Sequence, residues 1–144
     1  MKFTVKLEED DEIIFLDLAQ VEDIHARCLQ PQNLKGYLKR DDLESALKRP
    51  VNHHYFSNEC DLIRLAAILW HGISEAHGFI DGNKRTGLLS AFVFLETNGI
   101  ELDPSVMSED PGVFTDACFR QNRFNIAVLD HYLRTHCRWI SYDE

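Results

Sequence analysis

The feature that most constrains the fold of this 144-residue chain is an almost unbroken apolar run from Leu62 to Ile73. A surface helix keeps one polar face, whereas a helix that is apolar on every side has to be buried on every side. A second apolar run extends from Leu88 to Leu95. The two runs predict long core helices at about residues 60–76 and 83–97, and Asn98-Gly99 is a signal for the end of the second.

Shorter amphipathic stretches predict further helices around these two. Asp17 is an N-cap candidate for a helix at about 18–29, with a glutamine three residues later as its capping-box partner. Asp41 is placed in the same way to begin a second helix, which Pro50 is expected to end. The remaining predicted helices span about residues 111–121 and 125–138.

Three stretches lack a helical period. Residues 51–58 read VNHHYFSN, and their β-branched, aromatic and polar side chains predict an extended loop or a small β-hairpin. Ile13 to Leu16 is a candidate for a short strand, and residues 1–11 for an edge strand or a frayed terminus. The whole sequence therefore predicts a mainly α protein, one domain over residues 1–144, with at most a small hairpin beside its helices.

Composition excludes several classes of protein. The net charge of −9 argues against sequence-independent nucleic-acid binding, which needs a basic footprint. Polar residues such as His71, Ser74 and Glu96 interrupt the apolar runs, so no membrane span is expected. The lack of a basic and apolar N-terminal stretch favours a cytoplasmic protein. The four cysteines form no C-x-x-C pair and lie in apolar patterns, which is typical of core thiols.

Between the two core helices lies a polar stretch, HGFIDGNKRTG, from His77 to Gly87. Its second half enters the second helix, where the first N–H groups have no partner within the helix and the helix dipole is positive. Lys84 and Arg85 add positive charge at the same place. The combination predicts an anion site, and phosphate is the anion that suits it.

The side chains of this stretch include a possible general base, a carboxylate and two cations. Neutral imidazole at His77 can take a proton from a Ser or Thr hydroxyl near neutral pH. Asp81 offers a hard oxygen ligand for one Mg²⁺ that also binds phosphate oxygens. Lys84 and Arg85 can neutralise the charge that spreads over the transferring group.

The stretch from His77 to Thr86, HGFIDGNKRT, resembles the motif of the Fic/Doc family, and more closely that of its Doc (death-on-curing) branch. The general Fic pattern is H-P-F-x-[DE]-G-N-G-R-x-x-R, and the Doc pattern is H-x-F-x-[DN]-[AG]-N-K-R-T. With the segment LESALKRP at 43–50, which is similar to one that Doc-like proteins place before their substrate flap, the resemblance extends over about residues 12–135.

The chain departs from the Fic pattern at three positions. It has Lys84 where Fic enzymes have glycine, Leu88 where they have a second arginine, and Gly78 where proline is commonest. In AMP-transferring enzymes the second arginine grips the outer phosphates. Its absence, together with Lys84, favours a nucleotide bound in the reverse sense, with the γ-phosphate presented for transfer.

The resemblance implies an all-α domain that uses ATP and Mg²⁺ to modify a hydroxyl group on another protein. Fic enzymes typically transfer AMP, whereas Doc-like toxins transfer the γ-phosphate, and their target class is translation elongation factor Tu. We expect a Doc-like toxin, with a Fic-type AMP-transferase or a non-enzymatic binding module as alternatives. The expected partner is a small antitoxin from a neighbouring gene.

The residues that this resemblance assigns fall in three groups. The expected catalytic residues are His77, Asp81, Lys84 and Arg85, with Asp81 as the metal ligand. The expected nucleotide contacts are Gly82, Asn83, Lys84, Arg85 and Thr86, the last with a backbone hydrogen bond as an alternative. A substrate flap that adds a strand to the target, or else a plain surface loop, is expected at Val51, Asn52, His53, His54 and Tyr55.

Overall fold

The structure is a computed structural model that describes residues 12–106 and 109–141. Within these residues the chain forms six α-helices and one two-stranded sheet. The helices are α1 (Leu18–Cys28), α2 (Arg40–Ser57), α3 (Leu62–Ala76), α4 (Asn83–Thr97), α5 (Pro111–Arg120) and α6 (Ile126–His136). The strands are β1 (Ile100–Leu102) and β2 (Cys137–Trp139), and a 3₁₀ turn spans Pro104–Val106. The prediction of a mainly α protein is confirmed, while the prediction for residues 1–11 lies outside the described residues.

The apolar helix α3 lies at the centre of the fold, as its sequence predicts. Asp61 begins it, because one carboxylate oxygen accepts the N–H groups of Ile63 and Arg64. Helices α2, α4 and α6 pack around it. Trp70 is fully buried among aromatic rings of α4, α5 and α6. Burial of this one helix therefore organises the core, and the α3–α4 loop, residues 77–82, follows directly from its C-terminal end.

Gly87 allows α4 to lie directly against α3. A Cβ atom at this position would collide with Ser74 Oγ and would lie 3.0 Å from the Trp70 carbonyl oxygen. Because both neighbours are fixed within a helix, a larger residue would push the N-terminal half of α4 away from α3. Gly87 therefore sets the distance between the two helices that carry the loop.

We expect Gly87→Ala to destabilise the protein although alanine favours helix. Overpacking costs about 1–3 kcal/mol, of which roughly 1 kcal/mol is offset by helix propensity, so thermal unfolding should show a Tm lower by several degrees. Ser74→Ala removes the oxygen that the new methyl group meets, so the double variant should recover part of the loss. Gly72→Ala, whose Cβ would meet Ala46 Cβ at 3.3 Å, is the matched control with a smaller expected loss. An unchanged Tm for Gly87→Ala would contradict this interpretation.

Helix α2 continues through Pro50, so both the predicted helix end and the predicted extended segment at 51–58 are wrong. Pro50 is buried, and residues 51–57 form the last turns of the helix. Proline removes one hydrogen bond from the helix interior, but the C-terminal end is stabilised by its cap. Asn58 adopts the left-handed conformation, with φ 56°, and its N–H binds the His53 carbonyl.

The small sheet is formed by β1 and β2, and not by residues 51–58. The two strands are antiparallel, with Ile100 opposite Trp139. Strand β2 follows α6 directly, so this helix ends at His136 and not at 138 as predicted. Strands of three residues are too short to show an alternating pattern, which explains why the sequence did not predict them.

Three further local predictions concern a short strand and the starts of the first two helices. The predicted strand at 13–16 forms none; instead Ile14 N–H donates to Asn98 Oδ1, and Asn98 Nδ2 donates to the Ile14 carbonyl. The predicted capping box at Asp17 is confirmed. The predicted N-cap at Asp41 is wrong, because α2 already begins after Lys39.

The described residues also bear on two predictions from composition. None of the described helices is both long enough and apolar enough to cross a bilayer. The cysteines are free thiols. Cys28, Cys118 and Cys137 are buried, in agreement with the prediction of core thiols, whereas Cys60 is only half-buried. Burial raises the pKa of the Cys137 thiol to about 12, so this thiol stays protonated and unreactive near neutral pH.

Candidate active site

A cleft of about 750 Å³ opens between the α3–α4 loop and helix α5. This volume is sufficient for a nucleotide. From the loop and α4 the lining residues are His77, Ile80, Asp81, Gly82, Asn83, Lys84, Arg85, Leu88, Leu89 and Phe92. Six of the site residues predicted between His77 and Gly87 therefore line one cavity: His77, Asp81, Gly82, Asn83, Lys84 and Arg85. Thr86, the seventh, does not line it.

His77 ends α3 in the left-handed conformation, with φ 52° and ψ 39°. This conformation is uncommon for residues other than glycine and asparagine. It turns the chain out of the helix and leaves the imidazole exposed at the cleft. An exposed position suits a general base that has to reach a hydroxyl group on another molecule.

The side chain of Asn83 closes the loop on itself. Its Oδ1 accepts the Phe79 N–H at 3.0 Å, and its Nδ2 donates to the Phe79 carbonyl at 2.8 Å. The amide therefore binds the loop backbone as a neighbouring strand would, and Phe79 is buried below it. Only the second hydrogen of Nδ2 remains to make the predicted contact of Asn83 with a phosphate.

The N-terminus of α4 has no side-chain cap. Gly82 precedes it in the left-handed region, with φ 85°, where a residue with a Cβ atom would be strained. Asn83, Lys84 and Arg85 form the first turn and all line the cleft. Their N–H groups and the positive end of the helix dipole make this end of the cleft attractive to anions.

Asp81 lies half-buried at the cleft, and its carboxylate is bound on one side. Oδ2 accepts the Leu34 N–H at 2.7 Å, which leaves Oδ1 available for another ligand. Within residues 12–106 and 109–141, no cluster of three or more His, Cys, Asp and Glu side chains is arranged to hold a metal ion. Magnesium at nucleotide sites takes one or two carboxylates and completes its shell with phosphate oxygens and water. Asp81 fits that donor set.

Lys84 and Arg85, the two cations of the first turn of α4, are held by different contacts. The Lys84 ammonium lies over the ring of Phe119 in α5, with Nζ 4.3 Å from the ring centroid. Arg85 donates from Nη1 to the Cys28 carbonyl of α1 at 3.1 Å. Among the described residues, no other Lys or Arg side chain lines the cleft.

Thr86 does not reach the cleft. Its side chain has 0% exposure and lies beside the Cys28 thiol of α1. Its N–H binds the Gly82 carbonyl at 2.9 Å as an ordinary helical hydrogen bond. The structure therefore does not bring Thr86, a predicted nucleotide contact, to the cleft, because its place on α4 faces the core.

The predicted substrate flap is also wrong in its backbone conformation. Its residues belong to the helix α2, and none of them lines the cleft: Val51, Asn52, His53, His54 and Tyr55. A helix has its backbone groups paired internally, so this segment cannot add a strand to a target.

A different segment, residues 34–39, pairs with the loop. The N–H groups of Leu38 and Lys39 donate to the Gly78 carbonyl at 2.7 and 3.0 Å. The Ile80 N–H in turn donates to the Gly36 carbonyl at 3.0 Å. The glycine at position 36 is the sequence signal that could have indicated a turn here. In the structure Gly36 has a φ of 108°, which favours glycine.

The glycine at position 78, where Fic enzymes commonly carry proline, has a packing role. A Cβ atom on Gly78 would lie 2.6 Å from Leu43 Cβ of α2, which is closer than Cβ atoms approach. The absence of a side chain therefore lets α2 pack against the loop.

Comparison with known proteins identifies the family of the chain. No curated protein matches the chain. The model of the family described as "Fic/DOC family" matches residues 15–95, which is more than half of the 144 residues. The match includes α1, α2, α3, most of α4 and the whole loop that lines the cleft. The chain therefore belongs to the Fic/DOC family.

Proposed function

We propose that this protein is a Doc-like toxin that transfers the γ-phosphate of ATP, with Mg²⁺, to a Ser or Thr hydroxyl of another protein. Members of the Fic/DOC family are typically transferases that use ATP. The observation that carries the finer proposal is Leu88. This leucine lines the cleft at the position where the Fic pattern has its second arginine, and only 7% of it is exposed.

The distribution of charge along the cleft supports this proposal. Lys84, Arg85 and the uncapped start of α4 form a positive end. Beyond them α4 contributes Leu88, Leu89 and Phe92, and the opposite wall contributes Asp110, which caps α5, and Asp116 within it. A chain of phosphates is attracted to the positive end and repelled by carboxylates. The phosphates are therefore expected beside the loop, with the nucleoside extending along α4 and α5.

This placement favours the γ-phosphate as the transferred group. The terminal phosphate of a chain bound at the loop lies nearest to His77. Presenting the α-phosphate there would send the β- and γ-phosphates past Leu88, where the described lining residues include no Lys or Arg. The electrostatic energy of the bound nucleotide thus selects between phosphate transfer and AMP transfer.

In the proposed reaction His77 takes the proton of the target hydroxyl. The hydroxyl oxygen forms a bond to the γ-phosphorus, the bond from that phosphorus to the β–γ bridging oxygen breaks, and ADP leaves. Lys84, Arg85 and the N–H groups of the first turn of α4 stabilise the charge on the transferring group. Asp81 would hold Mg²⁺, which when bound neutralises charge on the phosphate oxygens.

The proposed target is a translation elongation factor of the Tu type, which implies action in the cytoplasm. The proposed partner is a small antitoxin encoded beside this gene. Expression of the protein alone should arrest growth, and co-expression of the neighbouring small protein should restore it. Growth arrest that persists in a His77→Ala variant would contradict toxicity by this reaction.

The type of transfer can be decided by a paired labelling experiment. The purified protein is incubated with Mg²⁺ and a cell lysate, with ATP labelled at either the α- or the γ-phosphate. We expect a protein band labelled only from the γ-phosphate and absent with His77→Ala. A band labelled from the α-phosphate would overturn the proposal in favour of AMP transfer, and no band with either label would favour a binding module.

Leu88→Arg sharpens the same test. An arginine here would place a cation beyond Arg85, where outer phosphates could then bind. We expect γ-labelling to fall by about tenfold or more, because part of the nucleotide would bind in the unproductive sense. Leu89→Arg, at the neighbouring and more exposed cleft position, controls for the added charge, and labelling is compared only between variants that keep the Tm of the unaltered protein. Equal γ-labelling by the Leu88→Arg variant and the unaltered protein would contradict the role assigned to Leu88.

A further inference from the structure

A buried histidine of α1 lies directly below the loop, and no part of the proposed reaction uses it. Only 5% of His25 is exposed, and its side chain does not line the cleft. Three contacts join it to the loop.

The first contact is a hydrogen bond to the backbone of Asp81. His25 Nε2 lies 2.7 Å from the Asp81 carbonyl oxygen. A carbonyl oxygen carries no hydrogen, so Nε2 is the protonated nitrogen and donates. This bond holds the backbone of the residue whose carboxylate lines the cleft.

The second contact is a stack of three rings. The His25 ring is parallel to that of Phe79, with centroids 3.6 Å apart and an interplanar angle of 6°. Phe79 also stacks on Tyr37, with centroids 5.1 Å apart. Phe79 is thereby held by α1 and by the segment 34–39, and the loop cannot shift without breaking these stacks.

The third contact is with Gly82. A Cβ atom on Gly82 would lie 3.4 Å from His25 Cδ2 and 3.5 Å from Nε2, so the imidazole supports the residue that begins α4. His25 thus meets the loop before, at and after Asp81. The side chain of Asp81 is held separately by Leu34 N–H, which binds Oδ2 at 2.7 Å.

We propose that His25 is a positioning residue that orients the Asp81 carboxylate toward its ligand by holding the Asp81 carbonyl. Its removal lets the loop rotate at Asp81, which loosens the bond from Leu34 N–H and weakens the use of Mg²⁺. The part of this inference that concerns Mg²⁺ rests on the proposed function; the part that concerns the loop does not.

Two variants separate the hydrogen bond from the packing. The side-chain amide introduced by His25→Gln can donate at the place of Nε2, so this variant keeps the bond and loses the ring stack. His25→Leu keeps apolar bulk and loses the bond. His71→Leu is the control, because His71 is a half-buried helical histidine whose ring stacks on Phe124, away from the loop.

The first readout is hydrogen exchange of the Leu34 amide by NMR, normalised to the amide of Leu69 in the centre of α3. We expect about tenfold faster exchange of Leu34 in His25→Leu and a change within about threefold in His25→Gln and His71→Leu. Unchanged exchange in His25→Leu, or equal acceleration in the two His25 variants, would overturn the inference.

The second readout is the Mg²⁺ concentration that gives half-maximal protein labelling from ATP. It should rise about tenfold in His25→Leu and stay within about threefold in His25→Gln. If the exchange result is as expected but the unaltered protein labels nothing, the proposed function fails and the positioning of Asp81 stands. If labelling depends on His77 but Leu34 exchange is insensitive to residue 25, the inference fails and the proposed function stands.

Discussion

Replacement of His77 by alanine is expected to lower the rate of protein labelling by about 10²–10⁴-fold, which is the usual contribution of a general base. The imidazole is exposed at the cleft, so its loss removes little buried contact and the Tm should change by no more than about 2 °C. Rates are compared at saturating ATP and Mg²⁺, so that a weaker affinity for either one is not mistaken for a slower transfer step.

A second variant controls for the unusual backbone of this residue. Asparagine tolerates the left-handed conformation that His77 adopts, with φ 52°, so His77→Asn removes the imidazole without new strain. His53→Ala changes an exposed histidine of α2 outside the cleft and should leave the rate unchanged. Labelling by His77→Asn within tenfold of the unaltered protein would exclude His77 as the general base.

The second large effect is expected from Asp81→Asn. Asparagine keeps an oxygen that can accept the Leu34 N–H, so the loop stays anchored while the charge is lost. A neutral amide oxygen binds Mg²⁺ far more weakly than a carboxylate. We expect labelling at a fixed, moderate Mg²⁺ concentration to fall by about 10²-fold or more, with partial recovery as Mg²⁺ is raised.

The matched control for this variant is Asp116→Asn. Asp116 also lines the cleft, from α5, and the substitution removes the same charge. Its Mg²⁺ titration should be close to that of the unaltered protein. An Asp81→Asn variant whose Mg²⁺ dependence matches that of Asp116→Asn would show that Asp81 is not the ligand, and that only the net charge of the cleft matters.

The parts of the fold that can be predicted from the sequence are those with long and regular patterns. Helices α3 and α4 carry continuous apolar runs, and the structure places them in the core at 62–76 and 83–97. The predicted α2 is too short because Pro50 normally ends a helix, whereas here the helix continues past a buried Pro50 to its left-handed cap at Asn58. Strands β1 and β2 depend on pairing between distant segments.

In the candidate site, too, the sequence predicts residues that are close in the chain and misses contacts between distant elements. His77, Asp81, Lys84 and Arg85 meet in the cleft because they are close in the chain and a tight loop joins two helices. Thr86 follows them directly, yet helical rotation turns it into the core. The contact of His25 with Asp81 joins two elements far apart in the chain, so no local pattern selects that histidine.

Helix α5 lies outside residues 15–95, which match the family model. It nevertheless forms one wall of the cleft, and the ring of its Phe119 contacts the Lys84 ammonium. Apart from Phe119, this wall is therefore a target for protein engineering that is separate from the loop. A library randomised at Asp116, with Phe119 kept, would vary the charge that a nucleoside meets, while the hydrogen bonds that shape the loop remain in place. Selection for altered nucleotide use should begin on α5.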